Sequence, residues 1–173
     1  PRGDLQGELV DDGLAAARRG EGHAGEGDRP SIHGRAGDGI DRRVYVEAKF
    51  GGAERAAAIY DRVRNVGTSV GIDFAFDRIA LQPNTLDAHR LISWAQARGS
   101  PEELVERLFR AYFLEGRYIG ERSELAAIAG EAGLPADAAR AYLDSDEGAD
   151  TVAAMDRRVR ELGVTGVPFF IFG

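Results

Sequence analysis

No cysteine occurs anywhere in these 173 residues, which excludes disulfides, zinc-thiolate sites, iron-sulfur clusters and a thiol nucleophile supplied by this chain. Histidine is nearly as scarce. Of the three present, His23 and His33 lie ten residues apart in a glycine-rich stretch without paired carboxylates, and that spacing implies no metal site. No apolar run approaches the roughly 20 residues of a spanning helix, and the first residues lack the charged and hydrophobic regions of a signal peptide. The expected compartment is therefore the cytoplasm. Positive charge is also short. A formal net charge of -7 removes the attraction to phosphate that non-specific nucleic-acid binding needs, so neither nucleic acid nor an anionic membrane is an expected partner.

The first 40 residues lack aromatic side chains altogether, although the chain has 14, and they hold 10 of its 23 glycines. Leu5, Leu9, Val10, Leu14, Ile32 and Ile40 are the larger apolar groups there. They offer too little apolar area to offset a backbone entropy of about 1 to 2 kcal/mol per ordered residue, so residues 1–40 are expected to be low-complexity and disordered. Gly20, Gly22 and Gly25 match the G-x-G-x-x-G spacing of dinucleotide sites, but no strand precedes them and the match is expected by chance in such a segment.

From Asp41 onward helical punctuation becomes regular, and residues 41–163 are expected to form a helical domain. Asp41 can cap a short helix that runs to Phe50 and stops at Gly51-Gly52. A second helix, 53–66, places Ala56, Ile59, Tyr60, Val63 and Val66 on one face and should end at Gly67. Residues 71–85 alternate Phe74, Phe76, Ile79 and Leu81 before Pro83, a pattern that fits a packed connector better than a true strand. Thr85 opens a helix to Ala97 with Leu86, Ala88, Leu91, Ile92 and Ala95 inward. Ser100, Pro101 and Glu103 form a capping box for the next, whose stripe is Leu104, Leu108, Phe109, Tyr112 and Phe113. Glu102, Glu103 and Glu106 are first-turn charges favoured by the helix dipole. Ser123 opens a helix carrying Leu125, Ile128 and Ala129, Leu134-Pro135 opens a short one to Leu143, and a last one from Ser145 places Val152, Met155, Val159 and Leu162 on one stripe. His89, inside the 85–97 helix, has Asp87 and Arg90 beside it but no nucleophile within sight of the sequence, so bonding to a carbonyl or to solvent outweighs a role as general base.

The end of the chain is different in kind. Residues 163–168, Gly-Val-Thr-Gly-Val-Pro, lead into Phe169, Phe170, Ile171 and Phe172, whose composition is that of a buried strand. A proline opening a strand has no amide for the ladder. Two readings stand equal at this point: a trans proline in a helix-to-strand turn, or a cis-proline that turns the backbone of Val167 outward toward an extended substrate. A single strand leaves its edges unsatisfied, so both ends of the chain are expected to be cut.

Several runs together resemble one family: Asp41-Arg42-Arg43-Val44-Tyr45, Ala48-Lys49-Phe50-Gly51, Gly71-Ile72-Asp73-Phe74, Pro83-Asn84-Thr85-Leu86-Asp87-Ala88-His89-Arg90-Leu91, Phe109-Arg110-Ala111-Tyr112-Phe113, Asp144-Ser145-Asp146-Glu147-Gly148 and residues 163–172. From about residue 41 to 173 the chain is similar to the FrnE-like branch of the DsbA family of thioredoxin-fold dithiol oxidoreductases. That superfamily also holds 2-hydroxychromene-2-carboxylate isomerase and the kappa-class glutathione transferases. The resemblance implies a fold that is mainly α as present: the helical insertion plus the cis-proline strand of an α/β thioredoxin-like fold, incomplete at both ends, with residues 164–173 starting its C-terminal half. It implies a thiol or disulfide substrate, protein or glutathione, and no bound cofactor. Val167 and Pro168 become the expected substrate-binding pair, with Asn84 and His89 as secondary candidates. No catalytic residue carries over, because the family's first strand and its Cys-Pro-Trp-Cys helix would fall where residues 1–40 stand. The whole chain's 21 arginines against one lysine suggest GC-rich DNA, and residues 1–40 are expected to derive from a shifted reading frame in it or from an unrelated fusion. The chain as it stands is then expected to be inactive in dithiol exchange. The remaining alternatives are a glutathione-dependent isomerase or transferase relative, and a helical module that only binds.

Overall fold

The structure, a computed structural model, describes residues 39–99 and 101–163. The expectations for residues 1–38, for Ser100 and for the 164–173 phrase, Val167 and Pro168 included, fall outside the described residues. In chain order the elements are strand β1 (Gly39–Asp41), helices α1 (Arg42–Phe50) and α2 (Ala53–Ser69), a 3-10 turn (Phe76–Arg78) and strand β2 (Leu81–Pro83). There follow α3 (Leu86–Gln96), α4 (Pro101–Phe109), a π-helical turn (Arg110–Leu114), α5 (Arg122–Glu131), α6 (Ala136–Asp144) and α7 (Ala149–Glu161). The described part of the chain is thus mainly α. It divides into two compact units, one of residues 43–74 and 158–163, the other of residues 39–42 and 75–157.

The first unit has a small core. Val46 and Phe50, one helical turn apart on α1, meet Ala56 of α2, with Tyr45, Ile59 and Tyr60 packed around them. Phe50 and Tyr60 meet edge to face, ring centres 6.0 Å apart. The α2 helix does not end at Gly67, as its sequence suggested; it continues to Ser69. Gly67 is a packing residue there, because a Cβ added to it would lie 2.7 Å from the Phe74 ring. Val66, read as inward, is exposed.

The second unit holds the main core. Leu91, Leu104, Leu125, Ile128 and Leu143, one or two from each of α3 to α6, are fully buried, and Ile79, Trp94, Tyr112 and Tyr142 enclose them. Truncating any of these leucines to alanine should cost about 2 to 5 kcal/mol. On α3 the buried face is Asp87, Ala88, Arg90, Leu91, Trp94 and Ala95, whereas Leu86 and Ile92 are only half-buried. The connector before α3 is largely irregular, as its sequence suggested, but its last three residues pair antiparallel with β1 in the register Gly39↔Pro83, Ile40↔Gln82, Asp41↔Leu81. Asp41 closes that strand, and the α1 helix begins one residue later.

Two apolar stripes depart from their sequence pattern. After Phe109 the helix widens to π geometry, with the Glu115 amide donating to the Arg110 carbonyl five residues back. The wider turn buries Ala111 and Tyr112 and leaves Phe109 exposed, stacked on Phe113 with ring centres 5.9 Å apart. On α7 the stripe of Val152, Met155, Val159 and Leu162 is real in spacing, but only Val152 is buried; Met155 and Leu162 are 63% and 62% exposed. Helical periodicity arises from burial against a partner, and on this helix the one buried side chain lies in the first turn. The fifth helix starts at Arg122, with Glu121 as the flanking residue, one position before the serine that its sequence suggested.

Candidate functional site

Among the sequence-derived candidates, Asn84 and His89 lie within the described residues, at the start of α3. Asn84 is buried, and its side-chain oxygen accepts the Leu86 amide at 3.0 Å, closing an Asx turn that satisfies one of the orphan donors of the helix. Thr85, the flanking residue, makes no such side-chain bond. His89 is exposed, and its backbone amide donates to the Thr85 carbonyl. Asn84 therefore works as a helix cap, and His89 presents its ring to solvent one turn further on. The two are not drawn into a common constellation with a nucleophile.

The polar centre of the unit lies one residue to either side of Ala88-His89. Asp87 and Arg90, side chains 5% and 3% exposed, form an ion pair of 2.6 Å across one turn of α3. The other Asp87 oxygen accepts Arg122 Nε of α5 at 2.8 Å. With one guanidinium group on each oxygen, this carboxylate anchors α5 to α3. Arg90 is spread over five acceptors. Besides Asp87 it donates to the carbonyls of Tyr142 (3.3 Å) and Leu143 (3.4 Å) at the end of α6, and of Ser145 (2.7 Å) and Glu147 (2.8 Å) in the turn beyond it. Its guanidinium carbon also lies 5.3 Å from the centre of the Tyr142 ring.

A second buried cluster joins the strand pair to the π turn. Arg42, 8% exposed, donates to Gln82 Oε1 at 3.1 Å and to Tyr112 Oη at 3.0 Å, while the Tyr112 hydroxyl is within reach of the Leu81 carbonyl and of Gln82. The Arg42 guanidinium lies 5.9 Å from the ring centres of both Phe76 and Tyr112. The π turn brings the tyrosine to this position. Among the described residues, no buried side-chain polar atom lacks a partner and no group of three or more acidic or histidine side chains is placed to hold a metal ion.

A third polar group lies on the surface, where Arg107 of α4 and Arg117 meet Glu115, Glu124 and Glu131. Arg107 holds both Glu115 oxygens at 2.9 Å and pairs with Glu131; Arg117 pairs with Glu124 and with Glu131, the latter at 2.9 Å. Hydrogen bonds from Arg107, and after them from Arg117, hold the Glu115 carboxyl below the usual glutamate range against an opposing effect of burial. Glu131 is lowered in the same way, chiefly by Arg117. Both arginines are raised in turn by these carboxylates.

These networks contain carboxylates, guanidiniums, one phenol and one amide, all engaged with one another. Their chemistry is positioning. In the sequence Asp87 and Arg90 stand out only as neighbours of His89, although their i, i+3 spacing and the following Leu91 and Trp94 place them on one face.

Residues 38–173 match the model of the DSBA-like thioredoxin domain family. No curated protein matches the chain. Among solved structures, a probable DsbA oxidoreductase from Streptomyces coelicolor superposes with a TM-score of 0.68 and 28% sequence identity, over 93% of this chain and 73% of that one. The helix-rich architecture, with a short strand pair ahead of the α3 cap, is therefore of DsbA type, and the chain belongs to the DSBA-like thioredoxin domain family.

Proposed function

We propose that the chain derives from a FrnE-like thiol-disulfide oxidoreductase and retains the part that receives the substrate, with Val167-Pro168 as the pair presenting backbone to an extended thiol or disulfide substrate. The observation that carries this reading is the family match across residues 38–173, which includes both the helical region and the Gly-Val-Pro-Phe-Phe phrase. A DsbA-type fold supports an oxidoreductase-like function at the level of the family. The exchange reaction itself needs a thiolate of lowered pKa at a helix N-terminus, and these 173 residues contain no thiol. The chain alone is then a receiver without a nucleophile. The total absence of cysteine favours one second reading, a relative of the glutathione-dependent isomerases and transferases, because there the reacting thiol belongs to bound glutathione. Asn84 and His89 are secondary candidates for substrate contact in either case, His89 by virtue of its exposure.

The test is a pair of chains. The chain as given should reduce insulin with dithiothreitol no faster than buffer does. One in which a family strand and Cys-Pro-Trp-Cys helix replace residues 1–37, leaving β1 in place, should acquire that activity, and Pro168→Ala in that background should lower it about tenfold or more, the effect expected when a positioned substrate contact is lost. A folded, restored chain without activity would overturn the oxidoreductase reading. Binding of glutathione by the same chain would then favour the second.

A further inference from the structure

The Arg90 side chain does something that the stability of a core alone does not call for. Two of its five acceptors, Tyr142 and Leu143, are the orphan carbonyls at the end of α6, which every helix end must satisfy. The other two carbonyls, of Ser145 and Glu147, belong to the turn that follows, a turn whose residues 144–147 are exposed. The guanidinium thus holds an exposed segment from inside. On its outer side, among the described residues, the turn is tied to its own neighbours: Ser145 Oγ donates to the Tyr142 carbonyl at 2.7 Å and accepts the Glu147 amide at 3.2 Å, and the Ala149 amide donates to the Asp146 carbonyl. Gly148 completes it with a φ of 75°, a conformation that suits glycine. A Cβ there would also meet the Tyr142 hydroxyl at 2.3 Å. Beyond the turn, α7 buries a single side chain, Val152.

We infer that the α6–α7 turn, residues 145–148, is a hinge and that Arg90 is its latch, so that α7 opens from α6 as one cooperative segment while α3 to α6 remain folded. The division follows from where the contacts lie. Between them, α3 to α6 share the fully buried leucines and Ile128 of the main core, whereas on α7 the buried side chain is Val152, with Ala153 and Asp156 half-buried beside it. Segments with few buried apolar contacts open at a lower free energy than the core they adjoin. Arginine suits the latch because its rigid fork reaches several carbonyls at once while one edge stays on Asp87; a lysine ammonium has three donors and no fork. The device is independent of the reaction proposed above.

Hydrogen exchange followed by mass spectrometry on the full chain tests it. In Arg90→Lys, peptides over residues 145–163 should exchange about tenfold faster than in the parent, and those over 122–143 should stay within about twofold. Ser145→Ala, which removes only the outer bonds of the turn and leaves the Asp87-Arg90 pair in place, should speed exchange over the same 145–163 region by about threefold and nowhere else. Equal acceleration in both regions of Arg90→Lys would show that Arg90 holds the whole core and not a hinge. No acceleration over 145–163 in either variant would equally overturn the latch. Should Arg90→Lys fail to fold, the Ser145→Ala comparison decides alone.

Discussion

At the scale of single residues, buried charge carries most of the consequence. Asp87 is shared between Arg90 and Arg122, so removing it leaves one guanidinium buried without a counter-charge and another half-anchored. Asp87→Ala should therefore cost about 3 to 5 kcal/mol, as breaking one side of a buried pair does. Tyr112→Phe is milder. The ring stays in the core, but Arg42 and Gln82 lose a partner within the Arg42 cluster, a loss of about 1 to 2 kcal/mol. Denaturant titrations of the two variants measure both; an Asp87→Ala midpoint equal to that of the parent would mean that the carboxylate is dispensable to the fold. These groups were hard to see in the sequence for a physical reason. Charge is assigned to solvent by default, and the acceptors that make burial tolerable for Arg90 lie more than 50 residues away in the chain. Asn84 was legible as part of a family motif, but its use as the cap of α3, ahead of Thr85, depends on a local geometry that residue type alone does not decide.

At the scale of elements, two predictions turn on sign. Gly67 sits inside α2, where alanine ordinarily stabilises by about 1 kcal/mol. Here Gly67→Ala should destabilise by about 1 to 3 kcal/mol, because the new methyl meets the Phe74 ring at 2.7 Å and the Ile72 carbonyl at 2.8 Å. A raised melting temperature would show that Phe74 gives way. The second concerns the arginine-glutamate group that ties α4 to α5. Glu115 and Glu131 have folded pKa values below their unfolded ones, so the stability they contribute is complete above the ordinary glutamate pKa of about 4.3 and is lost as pH falls through the lowered folded values. Thermal melts from pH 6 down to pH 2 should show a decline that is shallower in Arg107→Gln, whose removal relaxes both carboxylates; identical slopes would mean that solvent already screens the pairs. Helix boundaries near glycine and proline were largely legible, since α4 begins at Pro101 and α6 follows Pro135. The π turn was not. It places Tyr112 against Arg42 and Gln82, a contact between segments distant in the chain, and periodicity carries no sign of it.

At the scale of the whole chain, the two units differ in what holds them. The unit of residues 75–157 buries five fully enclosed large aliphatic side chains from four helices, together with Trp94 and Tyr142, whose ring centres lie 6.0 Å apart. Among the described residues of the unit 43–74, the buried apolar side chains are Val46, Phe50, Ala56 and Phe74, and Ala56 is the smallest side chain that can contribute to a core. At about 25 cal/mol per Å² of apolar surface, these few residues offer a fraction of the stabilisation available to the larger core. The backbone entropy to be offset per residue is the same in both. Unfolding should therefore not be a single step. Amides of α1 and α2 should exchange with free energies well below those of α3 to α6, and Leu104→Ala should lower protection in α3 to α6 more than in α1 and α2. Native-state hydrogen exchange in increasing denaturant resolves the two sets of amides. If all of them converge on one free energy at zero denaturant, and Leu104→Ala shifts every amide equally, then the chain unfolds as one cooperative body and the small core draws its stability from elsewhere.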